Sequence, residues 1–268
     1  MGRVTARHKV VRIDLDGDAS RSIDTVACEE PLEIRVNGET FTVTMRTPGQ
    51  DVDLAHGLLR AEGVIARRED VVSARFCSDL DSLNVVNFEV PAGGAGRAVT
   101  STRNLASLGG CGLCGTTAVE AIEAVVTHRP PEVLWEADRI AASLGELHSR
   151  QAVFAKTGGV HGAGLVPVGG SSLAIVREDI GRHNAVDKVL GSALVTGVET
   201  SGGLLVVSSR ASFEIVQKAA VSGIAVLACV SAPSSLAIEA ADRLGVTLVA
   251  FARGRRMNAY THSHRIPH

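Results

Sequence analysis

The sequence predicts an α/β protein, with a largely parallel sheet in its later part and a small α+β unit in front of it. Three observations point there. Apolar residues make up 45% of the 268 positions but aromatics only 3%, so the core must be built from Val, Ala, Leu and Ile. From residue 173 onward, short continuous apolar runs alternate with helical patterns, as expected of strands buried on both faces and joined by crossover helices. Between the two parts, Pro91-Ala92-Gly93-Gly94-Ala95-Gly96 interrupts every periodic pattern and marks a domain boundary, giving units 1–96 and 97–268.

In chain order, residues 1–27 are polar and are expected to be loosely ordered. Leu32 to Met45 reads as a hairpin: Ile34 and Val36 alternate, Asn37-Gly38 supplies the turn, and Phe41, Val43 and Met45 alternate after it. Arg46-Thr47-Pro48-Gly49 breaks the strand. A helix is predicted over 51–62, with Leu54, Leu58 and Leu59 on one face and Gly63 as its stop. Short strands are predicted over 71–76 and 85–90. A helical run follows over 118–126, and Arg129-Pro130-Pro131 breaks it. Another helix is predicted over 137–153. Strands are then expected over 173–176, 204–207, 225–229 and 246–251, with helices between them over 184–194, 213–221 and 236–244. Such alternation implies right-handed crossovers.

Composition removes several classes of function. A net charge of −2 argues against a general nucleic-acid binder. The N-terminus has no apolar signal region, and no run approaches the roughly 20 apolar residues that a membrane helix needs. Five cysteines, an odd number, fit a reducing compartment, so a cytoplasmic protein is expected.

Chemistry concentrates in Gly109-Gly110-Cys111-Gly112-Leu113-Cys114-Gly115. Two cysteines at C-x-x-C spacing are flanked by glycines, which permit positive φ at an entropic cost that packing alone would not justify. Thr117-Ala118-Val119-Glu120 fits a capping box, so the thiols precede a helix N-terminus, where a thiolate is favoured. Three uses of such a loop compete. A zinc knuckle needs two more ligands, and Cys28, Cys77 and Cys229 are isolated in sequence. A disulfide-exchange motif belongs after the strand of a βαβ unit, which is missing here. A swinging arm that carries sulfur as a persulfide needs only what is present. Two incidental cysteines on a flexible loop are the bland alternative.

A second concentration follows from topology. In open α/β sheets, ligands bind beyond the carboxyl ends of the strands. Here those ends carry Arg177-Glu178-Asp179-Ile180-Gly181-Arg182-His183-Asn184, then Ser208-Ser209-Arg210-Ala211-Ser212, then Ser231-Ala232-Pro233-Ser234-Ser235, then Ala252-Arg253-Gly254-Arg255-Arg256. The glycine-rich turn 157–162, with His161, adds to them. Ser212 and Ser234 or Ser235 are placed to cap helices, whose free N–H groups bind anions. Arg182, Arg210, Arg253, Arg255 and Arg256 suit phosphate oxygens. Glu178, Asp179 and Asp187 would accept from a base or ribose, or hold the arginines. His161 and His183 read as hydrogen-bonded orienting groups rather than metal ligands. No G-x-x-x-x-G-K-[ST] or strand-linked G-x-G-x-x-G occurs, which excludes an ordinary NTPase or dinucleotide dehydrogenase. A cleft for a nucleotide-like polyanion is expected.

These stretches together resemble the formate dehydrogenase accessory sulfurtransferases. The resemblance is carried by GGCGLCG, by residues 46–65, 157–164, 177–188, 208–219 and 231–237, and by FARGRRMNAYTH over 251–262. It spans nearly the whole chain in order, and it lowers the zinc and disulfide-exchange readings. The resemblance implies a sulfurtransferase that takes persulfide sulfur from a cysteine desulfurase. It would pass that sulfur to the molybdenum of bis(molybdopterin guanine dinucleotide), a transient ligand, for the formate dehydrogenase apoenzyme. By the same resemblance Cys111 would bear the persulfide, with Cys114 as its partner. Phe251, Ala252, Arg253, Gly254, Arg255 and Arg256 would form a cofactor-binding segment. Arg182, His183, Asn184, Ser209, Arg210 and Ser234 join that site as residues of the rim. The implied fold is a three-layer, cytidine-deaminase-like core in a homodimer, without the H-x-E and P-C-x-x-C zinc ligands of deaminases. A cofactor-binding chaperone that does no sulfur chemistry is the alternative function.

Overall fold

The structure, a computed structural model, describes residues 3–77, 84–91, 126 and 129–268. The cysteine loop, with Cys111 and Cys114, and the helical run 118–125 lie outside these residues.

The first element corrects an expectation. Residues 5–12 and 20–27 are ordered as strands: β1 (Thr5–Arg12) and β2 (Ser20–Ala27) pair antiparallel from Thr5↔Ala27 to Arg12↔Ser20. Val10, Val11, Ile23 and Val26 supply the β-branched content that polar composition had hidden.

The hairpin forms as expected, from β3 (Glu30–Val36) and β4 (Glu39–Arg46). Asn37 and Gly38 turn it with φ of 53° and 88°, both left-handed as a tight hairpin turn requires. Asn37 also exchanges two hydrogen bonds with the backbone of Val90, each 2.9 Å. With β5 (Ser73–Phe76) and β6 (Val85–Glu89) they form a four-stranded sheet in the order β4-β3-β6-β5, in which β3 and β6 are parallel. Helix α1 (Asp51–Ala61) covers it, burying Leu54 and Leu59 against Leu32, Ile34, Val86 and Phe88. Each fully buried Leu or Ile of this kind contributes about 1.5–3 kcal/mol.

The second sheet has six strands in the order β12-β11-β10-β9-β7-β8. Strands β9 (Leu204–Val207), β10 (Val226–Cys229) and β11 (Thr247–Arg253) are parallel. Strand β7 (His161–Val166) runs antiparallel to both β9 and β8 (Ile175–Asp179), so β8 points the same way as β9. Strand β12 (Arg256–Ala259) folds back antiparallel on β11. Two of these strands depart from the expected pattern. The stretch assigned to a glycine-rich turn is in part strand β7, and the basic end of the chain includes β12. In β7 the glycines serve contact rather than turning: a Cβ on Gly164 would come within 2.9 Å of Leu173.

Helices cover both faces. Side chains 205, 207, 227, 248 and 250 point to α4 (Arg182–Thr196), α5 (Phe213–Val221) and α6 (Ser235–Leu244). Side chains 204, 206, 226, 228 and 249 point to Trp135 and α2 (Ala137–Arg150). The single helix expected over 137–153 ends at Gln151, and a short α3 (Ala152–Thr157) begins there. On this face the Trp135 indole N–H donates to the Gly202 carbonyl at 3.0 Å.

The two sheets are joined through α1 and α4. Buried Arg46, at the end of β4, grips Asp51 at 2.9 and 3.2 Å and also reaches Asn84. Beside it, fully buried Asp179 accepts from the Thr47 backbone at 3.1 Å and pairs with Lys188 at 2.7 Å.

Candidate functional site

Because β8, β9, β10 and β11 share one direction, their carboxyl ends form one rim, and the start of β7 lies on it too, with His161 paired to Asp179. Arg182 is the first residue of α4, whose N-cap, Gly181, contributes no side-chain hydrogen bond. The Arg182 Nε is buried without a partner among the described residues. His183 bridges two rim segments: its Nε2 lies 3.0 Å from the Ser212 hydroxyl and 2.6 Å from Glu214. The hydrogen bond from His183 holds Glu214 below the usual carboxylate range. Both contacts fall on one ring nitrogen, so Ser212, His183 and Glu214 do not form a relay in which a carboxylate orients the histidine through its other nitrogen. Burial, and then the electrostatic influence of Arg182 and His183, pushes the His161 imidazole down, which favours its neutral form.

The other expected residues divide by role. Arg210 is exposed on the rim. Arg253 is exposed and its Nε donates to the Val230 carbonyl at 3.3 Å. Gly254, at φ 56°, turns β11 into β12, leaving Arg255 and Arg256 exposed at the tip. Phe251 holds φ 51° and is 47% exposed, an uncommon backbone for an aromatic residue, at the irregularity between Ala250 and Arg253. Ser234 caps α6 by accepting from the Ala237 backbone at 3.2 Å. Ser209 is buried, with its hydroxyl on the Arg210 carbonyl. Ala252 packs into the core facing α2. Asn184 is buried and donates to the Met45 carbonyl at 2.7 Å and to Asp179 at 3.1 Å, which places it at the junction with the first sheet. The carboxylates offered to a base or ribose are engaged: Glu178 accepts from the Val153 and Phe154 backbones, Asp179 pairs with Lys188, and Asp187 pairs with Lys218.

One further thiol ends at the rim. Cys229 is buried, its Sγ contacts the Ser231 carbonyl at 3.0 Å, and burial pushes its thiol up to about 11, which leaves it protonated and unreactive at neutral pH. Beside the rim, between the α2–α3 corner and the sheet, opens a cleft of about 420 Å³ that His161, Ser208 and Val230 help to line. The glycine-rich turn with His161, and Ser208, were singled out from the sequence, whereas the helix wall of Leu144, Leu147, His148, Gln151 and Phe154 carries only ordinary core spacing and gave no sign of it.

The fold and this rim define an α/β protein with a cation-bearing sheet edge suited to an anionic ligand. More particularly, residues 27–267 match the model of the FdhD/NarQ family, and the chain belongs to that family. It is 51% identical to the sulfur carrier protein FdhD of Nocardia farcinica, over 99% of this chain and 96% of that one. The sulfur carrier protein FdhD of Mycobacterium tuberculosis is 46% identical over 99% of this chain and 100% of its own. A crystal structure described as a formate dehydrogenase accessory protein, from Desulfotalea psychrophila, superposes with a TM-score of 0.79 at 25% identity, covering 99% of this chain and 100% of that one.

Proposed function

We propose that this protein is a sulfur carrier serving formate dehydrogenase. Cys111 takes sulfur from a cysteine desulfurase as a persulfide, and the sulfur passes to the molybdenum of bis(molybdopterin guanine dinucleotide) before that cofactor enters the apoenzyme. The observation that carries the reading is the match over nearly the full length of relatives named sulfur carriers. The rim supports it: Arg182, Arg210 and Arg253 with the α4 N-terminus offer charge and N–H donors to the phosphates of the substrate.

The transfer is thiolate attack on a sulfur–sulfur bond. In loading, the Cys111 thiolate attacks the outer sulfur of the donor persulfide, and the donor cysteine leaves with the electron pair. Cys114 either receives sulfur from Cys111 or protects it by transient pairing. A homodimer in the cytoplasm, with a cytidine-deaminase-like core, belongs to the same proposal and rests on the resemblance. The test is restoration of formate dehydrogenase activity in cells that lack their own carrier. The intact chain should restore it and Cys111→Ala should not; restoration by Cys111→Ala would instead favour a chaperone without sulfur chemistry.

A further inference from the structure

The ribbon of β1 and β2 contributes nothing to the rim, and the family match begins only at residue 27, where the ribbon ends. Its base is anchored. The Cys28 N–H donates to the Val4 carbonyl at 2.9 Å, and a Cβ on Gly159 would lie 3.8 Å from that of Ala27. Beyond the base the two faces of the ribbon differ. Directly paired residues of an antiparallel ribbon share a face, and successive residues alternate between faces. One face carries Ala6, Val10, Ser22 and Val26, all half-buried. The other carries the pairs Arg7↔Thr25, Lys9↔Ile23 and Val11↔Arg21. On that second face Val11 is 59% exposed and Ile23 53%. A two-stranded ribbon is marginally stable by itself, and a bare apolar face on it asks for a cover.

The charges around this face have one sign. Arg7, Lys9 and Arg21 surround Val11 and Ile23, and the only carboxylate in the two strands, Asp24, is paired with His8 on the opposite face. This cationic patch stands on a chain whose net charge is −2. Among the described residues β1 pairs with β2 alone, so its outer edge keeps backbone groups open to a further strand. Charge complementarity selects that strand. A second copy of the ribbon is disfavoured, because β1 against β1 sets Arg7, His8, Lys9 and Arg12 opposite the same cations. An anionic lipid surface is disfavoured as well: the exposed tip residues Ile13 and Leu15 stand among Asp14, Asp16 and Asp18, which such a surface repels.

We propose that the ribbon is a docking arm for another protein, which adds an extended acidic segment to the edge of β1. Its carboxylates meet Arg7, Lys9 and Arg21, its apolar side chains cover Val11 and Ile23, and its backbone continues the sheet. The base of the ribbon lies against Gly159, two residues before His161 on the rim, so a protein held there stands beside the site. The proposal is independent of the sulfur chemistry of Cys111.

Fluorescence anisotropy on the full chain tests this with a labelled peptide of two Glu-Thr-Val-Thr repeats, the eight-residue length of β1. As a strand, this peptide presents glutamate and valine on one face. It should bind at least about tenfold more tightly than the same peptide with lysine for glutamate, and salt should weaken it. Proline in place of two threonines removes backbone donors and should abolish binding. Arg7→Glu with Lys9→Glu should weaken the glutamate peptide by about tenfold, since two cross-strand attractions become repulsions. Val11→Asp should weaken it by a similar factor. Thermal scans establish that each variant folds, and if the ribbon is lost in a variant, the comparison of the three peptides on the intact chain decides. Equal binding of the glutamate and lysine peptides, no binding of the glutamate peptide, or binding that both variants leave unchanged overturns the proposal. Attachment of the chain to phosphatidylglycerol vesicles through the ribbon, lost in Val11→Asp, would also overturn it in favour of a membrane. A dimer in sedimentation that Val11→Asp dissociates would overturn it in favour of a second copy.

Discussion

Gly57 of α1 and Gly191 of α4 meet backbone to backbone. A Cβ on Gly191 would lie 1.8 Å from the Asp53 carbonyl oxygen and 2.6 Å from the Gly57 nitrogen, and one on Gly57 would lie 2.0 Å from the Asp187 carbonyl oxygen. The contact fixes how the first sheet sits on the second, because α1 covers the first and α4 covers the second. No side-chain rotation relieves such an overlap, so Gly191→Ala must push the helices apart. Overpacking of this kind costs about 1–3 kcal/mol or more, and urea unfolding should show at least the upper part of that range. Gly145→Ala is the control: it is exposed in α2 with nothing near the new Cβ, and it should stabilise by about 0.5–1 kcal/mol.

Lys188 and Asp179 form a buried pair that also holds the Thr47 backbone, since Lys188 Nζ donates to the Thr47 carbonyl at 2.8 Å. Lys188→Met leaves the carboxylate buried without its counter-charge, a loss of about 3–5 kcal/mol. Removal of both charges by Asp179→Asn with Lys188→Met should cost less than the single change. A double variant weaker than Lys188→Met would contradict the pairing.

Acid sensitivity has one identified source near the C-terminus. Arg265, buried, is held by Glu132, whose carboxyl is lowered to about 2, chiefly by the hydrogen bond from Arg265 and further by its charge and by His264. A carboxylate lowered on folding contributes stability above its unfolded value of 4.5, and that contribution is lost as pH falls from there toward 2. The melting temperatures of the intact chain and Glu132→Gln should therefore differ at pH 7 and converge as the pH approaches 2. A gap that stays constant across that window would remove Glu132 as the source.

Phe251 keeps a left-handed backbone at the rim, at a cost of order 1–3 kcal/mol that the surrounding structure supports. Asparagine adopts this conformation more readily. Phe251→Asn should be neutral to stabilising by up to about 1 kcal/mol in thermal unfolding, yet weaken nucleotide binding if the aromatic face is presented to the ligand.

Much of the architecture was legible because periodicity and turn chemistry agreed. The Asn37-Gly38 turn, α1, and the three apolar strands with their following helices fall where the pattern put them. What escaped was set by tertiary contact. His161–Val166 looked like a turn because Gly162 and Gly164 are small to admit Gln151 and Leu173, not to bend the chain. The ribbon β1–β2 was hidden by its polar residues, and β12 by the cluster Arg253, Arg255 and Arg256 at its start. At the rim, the direction of β8–β11 was legible from the crossovers, whereas the commitment of Asn184 to the junction and of Glu178 to α3 depends on partners far away in sequence.

The most direct measurement of the sulfur-carrier reading is intact mass after incubation with a cysteine desulfurase and cysteine. The intact chain should gain one sulfur atom, removable by a thiol reductant, with fragment masses placing it on Cys111, and Cys111→Ala should gain none. No gain in the intact chain, or an equal gain in Cys111→Ala, would contradict it.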